Sequence, residues 1–353
     1  MFNILSFAVL KKMNCNFLKN SLHIDINGNV FPCTVSSSVS AACIGNINNN
    51  TLEDIYNSRH IDTLCKDFCS RCTRYSHSFK NFNLSDEDYY FLDIRLDNIC
   101  NFMCRMCGGD NSIAFRTEDE NVKSKSIASV LFKNIDFINK FKKIYIGGGE
   151  PFLSPSFLKF LQLLSENKTI MISSNFSNIK IDILDELKRF KKVIFYPSID
   201  GIDEVGEYIR YGFKTSAFFD NFNVVTKKFE CIPVVTVSAL NLLTLDKLIL
   251  KLEEVIDINS IYLNILDYPS EFSITTLPSY LKLLYQTRIK KIKNKLNKYF
   301  HVEAPYNTYY GLENIDMMLS NSNSLDFNKM KSTLSKLDKI RMQDFSVLFG
   351  GKI

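Results

Sequence analysis

No segment of this sequence is apolar for long enough to cross a membrane. Its apolar runs fall short of the roughly 18 residues that a spanning helix needs, although 46% of the 353 residues are hydrophobic. The apolar start, Met1 to Leu10, lacks the basic n-region and small-residue cleavage site of a signal peptide. We therefore expect a cytoplasmic protein without a membrane partner. Its length suits one large domain, or a barrel with a smaller module.

Histidine is also scarce, with four residues, whereas cysteine is abundant, with ten. In a chain without a secretory signal, that many cysteines indicate metal or redox ligands rather than disulfides. The formal net charge is only +5, and thiolates that bind a cluster would lower it further. This balance points to no particular charged partner, and we do not expect nucleic acid to be one.

Three of the cysteines, Cys100, Cys104 and Cys107, lie on one short loop, with three residues and then two between them. A [4Fe–4S] cluster normally takes four cysteines, so this loop would leave one iron open to another ligand. A zinc knuckle and chance cysteines are the alternatives. Zinc sites prefer paired cysteines with a fourth ligand close by, and the next histidine after the loop is His301. The spacing therefore favours an iron–sulfur cluster.

From residue 89 onward, short β-rich runs alternate with helical patterns, which predicts βαβ units and a parallel sheet. The predicted strands cover residues 90–96, 143–146, 169–174, 193–199, 234–239 and 261–266. The predicted helices cover residues 127–141, 156–165, 183–190, 217–229, 245–255 and 279–299, and a last helix at 328–339 follows a loop at 321–324. The fold class is therefore α/β, and ligands are expected at the carboxyl ends of the strands.

Three unusual runs lie at those strand ends. Gly147-Gly-Gly-Glu-Pro follows the second strand, and glycines let the backbone approach a ligand closely. Ser173-Ser-Asn ends the third strand, and Pro197-Ser-Ile-Asp-Gly ends the fourth. Each run taken alone also fits a polar turn after a strand.

Together with the cysteine loop, these runs resemble the motifs of the radical S-adenosylmethionine (SAM) superfamily. In that family a CxxxCxxC loop binds a [4Fe–4S] cluster whose open iron is chelated by SAM, and a GGEP motif meets the SAM amino group. The resemblance implies a partial (β/α)6 TIM-type barrel, with Cys100, Cys104 and Cys107 as cluster ligands. Arg210 matches an arginine that pairs with the SAM carboxylate, which a planar guanidinium suits; a solvated helix arginine is the alternative. The implied SAM-binding residues are Met106 (on adenine), Gly148, Gly149, Glu150, Ser174, Asn175, Ser198, Asp200 and Arg210.

A second group of cysteines precedes the predicted barrel. Cys15 is followed by twelve residues, Gly28, four residues and Cys33, and a CxxC motif adds Cys69 and Cys72. This pattern resembles the SPASM and twitch modules, which hold auxiliary iron–sulfur clusters, although such modules usually follow the barrel. The four cysteines suffice for one cubane or for one zinc site, and the residues do not decide between them.

Local patterns suggest how this first segment folds. Strands are predicted at 21–26 and 29–31 around Asn27-Gly28, a strong two-residue hairpin turn. A helix is predicted at 52–58 behind Thr51, a good N-cap residue. The implied domains are a small α+β iron–sulfur module at 1–88, a radical SAM core at 89–300 and a helical C-terminal extension at 301–353.

The end of the chain supports the same subgroup. Residues 337–341 and 344–349 look like the closing L-D-x-x-R-x-x-x-F segment of twitch-domain radical SAM proteins that carry the module first. Seven Lys or Arg residues accompany an apolar stripe in the segment 281–300. They predict a basic, solvated helix face, and a phosphate-binding face for RNA is the alternative.

A few residues fall outside these motifs. Cys231 opens an apolar strand and is expected to be a small buried residue. Cys43 and Cys65 are alternative ligands within the auxiliary module. His23 is interpreted as a satisfied surface histidine rather than a metal ligand.

The leading interpretation is an enzyme that cleaves SAM reductively to a 5′-deoxyadenosyl radical, which abstracts hydrogen from a peptide or protein. It would need SAM, two iron–sulfur clusters and a reducing partner such as flavodoxin or ferredoxin. Radical modification of RNA, of a nucleotide-sugar or of a small metabolite is the second hypothesis. A non-catalytic iron–sulfur scaffold is the third, and the intact cysteine loop argues against it. No residue stands out as a catalytic acid or base.

Overall fold

The computed structural model of the chain describes residues 16–38, 40–60, 89–299, 307–321 and 327–349. Two compact units are formed. The first unit comprises Met1–Ile99, Ser124–Ile172 and Ile181–Val193, and the second comprises Cys100–Lys123, Ser173–Lys180 and Ile194–Ile353. No helix in the described ranges is long and apolar enough to span a bilayer.

Strands and short helices alternate along most of the chain. The strands are β1 Ser21–Ile24, β2 Asn29–Phe31, β3 Gly45–Asn46, β4 Phe91–Arg95, β5 Met103–Cys104, β6 Lys143–Gly147, β7 Thr169–Ser174, β8 Lys192–Pro197, β9 Arg210–Tyr211, β10 Glu230–Cys231, β11 Val234–Val237 and β12 Tyr262–Ile265. The helices are α1 Asn16–Asn20, α2 Leu52–Asn57, α3 Ala128–Lys133, α4 Ile135–Ile138, α5 Phe157–Leu163, α6 Ile181–Leu187, α7 Asp203–Ile209, α8 Thr215–Thr226, α9 Leu245–Glu253, α10 Ser279–Leu296, α11 Thr308–Asn321 and α12 Phe327–Arg341.

A largely parallel sheet organises the first unit. Strands β1, β4, β6 and β7 pair in parallel in that order, and β2 and β3 extend the sheet antiparallel beyond β1. Because side chains alternate between the faces of a strand, this register puts one set of aliphatic residues on the same face. That face is fully buried and comprises Leu22, Ile24, Leu92, Ile94, Ile144, Ile146, Ile170 and Ile172. Burial of these branched residues is the main stabilising term for the sheet.

The second unit contains three further pairings. Strand β8 pairs in parallel with β10, β11 pairs in parallel with β12, and β5 pairs antiparallel with β9. The end of β8 reaches β11 through a bridge between Ser198 and Val234. The C-terminal region of this unit is helical, with α10, α11 and α12.

Within the first unit the strand order is β7-β6-β4-β1-β2-β3, and within the second unit β10 neighbours β8. All six strands predicted from residue 89 onward are present, with bounds within two residues of those expected. The α/β class is therefore confirmed, and the mostly parallel sheet with a helical C-terminal region is consistent with a partial TIM-type barrel.

One predicted helix is wrong. Residues 127–141 form two short helices, α3 and α4, which are separated at Asn134. The Asn134 side chain accepts a hydrogen bond from the Leu52 N–H (2.7 Å) and donates to the Val130 carbonyl (2.9 Å). Because asparagine side chains compete for backbone groups, the helix is interrupted here.

The sequence patterns did not predict helix α7. Residue 321 ends α11, and the remainder of the predicted loop at 322–324 lies outside the described residues.

The N-terminal hairpin forms, but with a longer loop than the two-residue turn expected. Strands β1 and β2 pair His23 with Phe31 and Ile24 with Val30, which leaves residues 25–28 as the loop. Asp25 Oδ1 accepts hydrogen bonds from the N–H groups of Asn27 and Asn29 at 2.8 and 2.9 Å. This Asx-type turn supplies the reversal, and Gly28 has the expected positive φ of 80°.

The buried sheet face gives a stability prediction. Replacing Ile94, which is fully buried in β4, with Ala should lower the free energy of unfolding by about 2–5 kcal/mol, because a cavity remains. Ile181, which is 58% exposed in the same unit, is the matched control. Its change to Ala should cost about 0.5 kcal/mol or less. Urea unfolding of the full chain measures both, and equal losses would show that this face is not the core.

Candidate iron–sulfur and SAM site

The cysteine loop opens the second unit. Cys100 and Cys104 are half-buried and Cys107 is exposed. Cys104 lies in β5, where it pairs with Arg210 of β9, and the Cys107 N–H donates to the Cys104 carbonyl at 2.9 Å. The short antiparallel pair and this tight turn together hold the three cysteines on one compact loop.

Amide groups point at the first cysteine sulfur. The Phe102 N–H lies 3.5 Å from Cys100 Sγ, and Asn175 Nδ2 lies 3.8 Å from the same atom. Asn175 Nδ2 also donates to Asn101 Oδ1 at 3.0 Å, so the polar end of β7 is tied to the loop. Hydrogen bonds to sulfur help to set the reduction potential of an iron–sulfur cluster. Asn175 therefore contacts a cysteine sulfur, which the sequence motif did not specify.

A buried arginine lies beside the second cysteine. Arg210 Nη1 is 3.3 Å from Asp200 Oδ2, and both side chains are largely buried, with 12% and 4% exposed. Burial alone would lower the pKa of Arg210, but Cys104 and Asp200 raise it, so the side chain is a permanent cation. Burial raises the pKa of the Cys104 thiol to about 12, and Arg210 opposes that shift. Arg210 is thus not the solvated helix arginine of the alternative interpretation.

Asp200 is fully engaged within the second unit. Its Oδ1 accepts the Thr236 N–H at 2.7 Å, and its backbone carbonyl accepts Asn241 Nδ2 at 2.9 Å. Burial raises the pKa of Asp200, which Arg210 partly offsets. In this arrangement Asp200 orients Arg210 and ties it to β11.

These residues fit an iron–sulfur cluster with an additional ligand. Three thiols are available, and Arg210 Nε is buried without a hydrogen-bond partner among the described residues, which leaves it for an anionic group. A Cβ at Gly108, next to Cys107, would meet nothing within 4 Å, so the loop has open space beside it. Across the described ranges no three His, Cys, Asp or Glu side chains converge as ligands of one ion.

The glycine run follows β6 in the first unit and packs directly on backbone. The Gly149 N–H donates to the Asp97 carbonyl (3.0 Å), and the Glu150 N–H donates to the Ile99 carbonyl (2.6 Å). Gly148 has a φ of 112°, and a Cβ on Gly149 would lie 2.2 Å from the Ile99 oxygen. Glycine is therefore required here to bind the segment that leads, one residue later in the chain, to the first cysteine.

Side-chain contacts secure the same segment. Glu150 is buried, and its Oε1 accepts the Phe152 N–H at 3.2 Å. Asp97, which the motifs did not single out, accepts hydrogen bonds from the Ile99 N–H and from the Ser154 hydroxyl. Burial raises the pKa of Asp97. Its position three residues before a proposed cluster cysteine was the only sequence signal for it.

The remaining predicted SAM residues lie in the second unit. Ser174 is buried, and its Oγ accepts the Phe176 N–H at 3.1 Å. Ser198 is half-buried, and its N–H donates to the Ser174 carbonyl at 2.8 Å. Met106 is half-buried between two ligand cysteines in sequence. Their roles toward SAM stay predictions.

Only part of the auxiliary group can be placed. Cys33 follows β2 and is half-buried, with its sulfur 3.6 Å from Ser36 Oγ. The other proposed ligands, Cys15, Cys69 and Cys72, lie outside the described residues, as does the alternative Cys65. Of the other cysteines, Cys43 is exposed and Cys231 is half-buried at the edge strand β10.

One expectation about the first unit is wrong: His23 is not on the surface. It is 4% exposed on β1, and its Nδ1 lies 3.0 Å from Asp93 Oδ2 on β4. Asp93 also pairs with Arg95 and accepts the Thr34 hydroxyl at 2.8 Å. Burial alone would raise the pKa of Asp93, but Arg95 and His23 lower it below its ordinary value. The parallel register of β1 on β4, which sequence patterns do not specify, creates this group.

The close backbone contact at Gly149 can be tested. Gly149→Ala would force its Cβ against a carbonyl oxygen, so the free energy of unfolding should fall by about 1–3 kcal/mol. SAM binding to the iron-loaded protein should weaken as well. Gly108→Ala, which enters open space, is the control for stability and should leave the free energy of unfolding unchanged. Thermal melting and equilibrium SAM binding measure the two effects; equal behaviour of the two variants would contradict this packing.

Comparisons with known proteins agree with the motifs. Residues 94–248 match the family model of the radical SAM superfamily, and residues 15–74 match that of an iron–sulfur cluster-binding domain (SPASM). No curated protein sequence matches the chain. Among solved structures, one match is the cobalamin-dependent S-adenosylmethionine radical enzyme OxsB, with aqua-cobalamin and S-adenosylmethionine bound. That match has 11% identity and a TM-score of 0.31, and it covers 72% of this chain but only 36% of the length of OxsB. The two family matches therefore place a domain of the radical SAM superfamily at residues 94–248 and, ahead of it, an iron–sulfur cluster-binding SPASM domain at residues 15–74.

Proposed function

We propose that this radical SAM enzyme modifies a peptide or protein in the cytoplasm. Cys100, Cys104 and Cys107 bind the SAM-dependent [4Fe–4S] cluster, and Cys15, Cys33, Cys69 and Cys72 bind the auxiliary cluster. The SAM-binding residues are Met106, Gly148, Gly149, Glu150, Ser174, Asn175, Ser198, Asp200 and Arg210. A flavodoxin or ferredoxin supplies the electron.

The single observation that carries the proposal is the grouping around the cysteine loop in the second unit. Asn175 lies 3.8 Å from Cys100 Sγ, and Arg210, paired with Asp200, lies opposite Cys104 in the β5–β9 pair. A cation and an amide beside three thiols suit an anionic ligand at an iron that the protein does not fill. When bound, the reduced cluster and SAM supply a 5′-deoxyadenosyl radical that abstracts hydrogen from the substrate.

The chain's own residues bind and orient. Arg210 has an unpartnered buried Nε for a carboxylate, and Asp200 holds its guanidinium in place at 3.3 Å. Because the site is largely buried, a charged hydrogen bond to Arg210 is stronger than it would be in water. Asn175 orients the sulfur of Cys100 by its amide.

Two features support a peptide or protein as substrate. The SPASM domain at residues 15–74 provides a second cluster site, and the S-I-D-G run at residues 198–201 is similar to that of peptide-modifying members. In the first unit, β1 of this N-terminal segment pairs with β4. The auxiliary loop at Cys33 is thus tied to the first strand of the radical SAM core, through Thr34 and Asp93.

The substrate class is tested on the iron-loaded enzyme with SAM and dithionite under anaerobic conditions. Peptides encoded by short reading frames beside the gene should increase 5′-deoxyadenosine formation above the substrate-free rate and change in mass. Total RNA and nucleotide-sugars are assayed in parallel. Stimulation by one of these instead of a peptide would overturn the substrate assignment and leave the SAM chemistry intact.

The two cysteine groups should behave differently. The wild-type chain should bind about eight irons if each cubane is full. Changing Cys100, Cys104 and Cys107 to Ala should remove one cluster and all SAM cleavage. Changing Cys69 and Cys72 to Ala should remove the other cluster and substrate modification, while uncoupled SAM cleavage continues. Iron counting and Mössbauer spectroscopy measure the clusters; zinc in the second site, or loss of both clusters together, would contradict the division.

Arg210 should contribute directly to SAM affinity. Arg210→Ala should weaken SAM binding by about 1.5–3 kcal/mol, the scale of a hydrogen bond to a charged group. Arg210→Lys should recover only part of this, because an ammonium lacks the planar fork. Arg116→Ala, at an exposed arginine of the same unit, is the control. Equilibrium SAM binding measures the affinity of each variant. Unchanged affinity in Arg210→Ala would show that this arginine is not part of the SAM site.

A further inference from the structure

The last turn of α12 carries two buried charged residues that the proposed function does not use. Asp338 and Arg341 are 7% and 5% exposed. Their spacing of three residues places them on the same face of the helix. A carboxylate near a helix C-terminus is opposed by the helix dipole, so Asp338 depends on partners elsewhere in the second unit.

Asp338 finds those partners around the cysteine loop. Its Oδ1 accepts Arg105 Nη2 at 2.6 Å and the Tyr208 hydroxyl at 2.9 Å. Arg105 is the residue directly after Cys104, and its side chain is fully buried. Its Nε donates to the Tyr208 carbonyl at 2.8 Å, and its guanidinium lies 3.7 Å above the Tyr208 ring. One carboxylate thus joins the loop to the end of α7.

Arg341 contacts the other side of the same loop. Its Nε and Nη2 bind both oxygens of Glu118 at 2.7 and 3.0 Å. Its Nη1 donates to the Met103 carbonyl at 2.8 Å, directly before Cys104. Its guanidinium also lies 5.2 Å from the Tyr211 ring.

These contacts bracket the β5–β9 pair. Met103 and Tyr211, which Arg341 contacts, are paired at one end. At the other end the Arg105 N–H donates to the Ile209 carbonyl at 2.8 Å, next to Tyr208. Cys104 and Arg210 form the central pair. One helical turn therefore holds both ends of the two-residue ladder that sets a proposed cluster ligand against a proposed SAM ligand.

Stability alone does not account for this arrangement. A buried ion pair loses much of its attraction to desolvation, and apolar residues of similar volume often stabilise as well. The Arg105 side chain is fully buried and Asp338 is 7% exposed, so both charged groups lose most of their hydration. The ion pairs fix the direction of each contact, whereas apolar packing does not.

We infer that Asp338 and Arg341 are positioning residues for SAM cleavage. Their contacts at both ends of the β5–β9 pair fix Cys104 and Arg210 relative to each other. The inference rests on the proposed assignment of Cys100, Cys104 and Cys107 to the SAM-binding cluster. It assigns a task to the closing L-D-x-x-R segment, for which the sequence offered only a resemblance.

The first test compares two isosteric changes in the second unit. Asp338→Asn removes the charge that Arg105 requires. Asp316→Asn is the control, since Asp316 pairs with Lys293 at 2.5 Å between α10 and α11. Dithionite-driven 5′-deoxyadenosine formation should fall about 10–100-fold in Asp338→Asn, the usual effect of losing a partner that orients a metal ligand. The change that SAM produces in the EPR spectrum of the reduced cluster should also differ from the wild type. The control should match the wild type in both.

Two further variants separate position from stability. Arg341→Lys keeps the charge but loses the fork on Glu118, so it should fold and still alter the EPR response to SAM. The pair Arg105→Met with Asp338→Leu removes both charges, so it should melt at a higher temperature than Asp338→Leu alone, which leaves Arg105 buried without its counterion. Its cleavage rate should stay at least tenfold low, because directed contacts are missing. If the rate of SAM cleavage recovered together with the stability, the contacts of Asp338 and Arg341 would serve folding alone. That result would overturn the inference.

The outcomes distinguish this inference from the proposed function. A wild-type chain that binds iron but fails to cleave SAM overturns both. A wild-type chain that cleaves SAM, with Asp338→Asn equal to Asp316→Asn in rate and EPR spectrum, overturns the positioning role alone. No peptide substrate is needed for any of these measurements.

Discussion

The second unit depends on neutralising two buried guanidinium groups on either side of Cys104. Arg105, next in the chain, is paired with Asp338 at 2.6 Å, and Arg210, across the ladder, is paired with Asp200 at 3.3 Å. A buried arginine without a counterion would cost several kcal/mol. Each carboxylate in turn accepts a backbone N–H: Asp338 accepts that of Phe345, seven residues later in the chain, and Asp200 accepts that of Thr236. The cysteine loop is therefore held in place by charged residues of α12 and by charged residues at the ends of the strands.

In the first unit the comparable constraint is steric. Backbone carbonyls of Asp97 and Ile99 accept the N–H groups of Gly149 and Glu150, and no Cβ fits at Gly149. The glycine run therefore has a role in the fold, because it binds the end of the chain segment that precedes Cys100. A motif that is associated with SAM also carries a local packing requirement, and substitution there affects both.

The N-terminal segment is joined to the sheet of the first unit. Strand β1 extends that sheet beside β4, and the group of His23, Asp93 and Arg95 lies across this pairing. Thr34, directly after Cys33, donates to Asp93. A hydrogen bond therefore joins the residue after this proposed auxiliary ligand to the first core strand. The boundary at residue 88 that the sequence suggests stays a prediction.

The sequence by itself determined the local features. Alternating patterns located six core strands, since periodicity depends only on neighbouring residues, and the cysteine spacing indicated the superfamily whose model matches residues 94–248. It could not reveal that Asp338 meets Arg105 or that His23 meets Asp93, which lie 233 and 70 positions apart. It also missed the break at Asn134, whose side chain bonds to Leu52. Such pairings are decided by strand register and helix docking, and burial then makes them strong. Only the tertiary structure brings charged residues that are far apart in the sequence together around the cysteine loop.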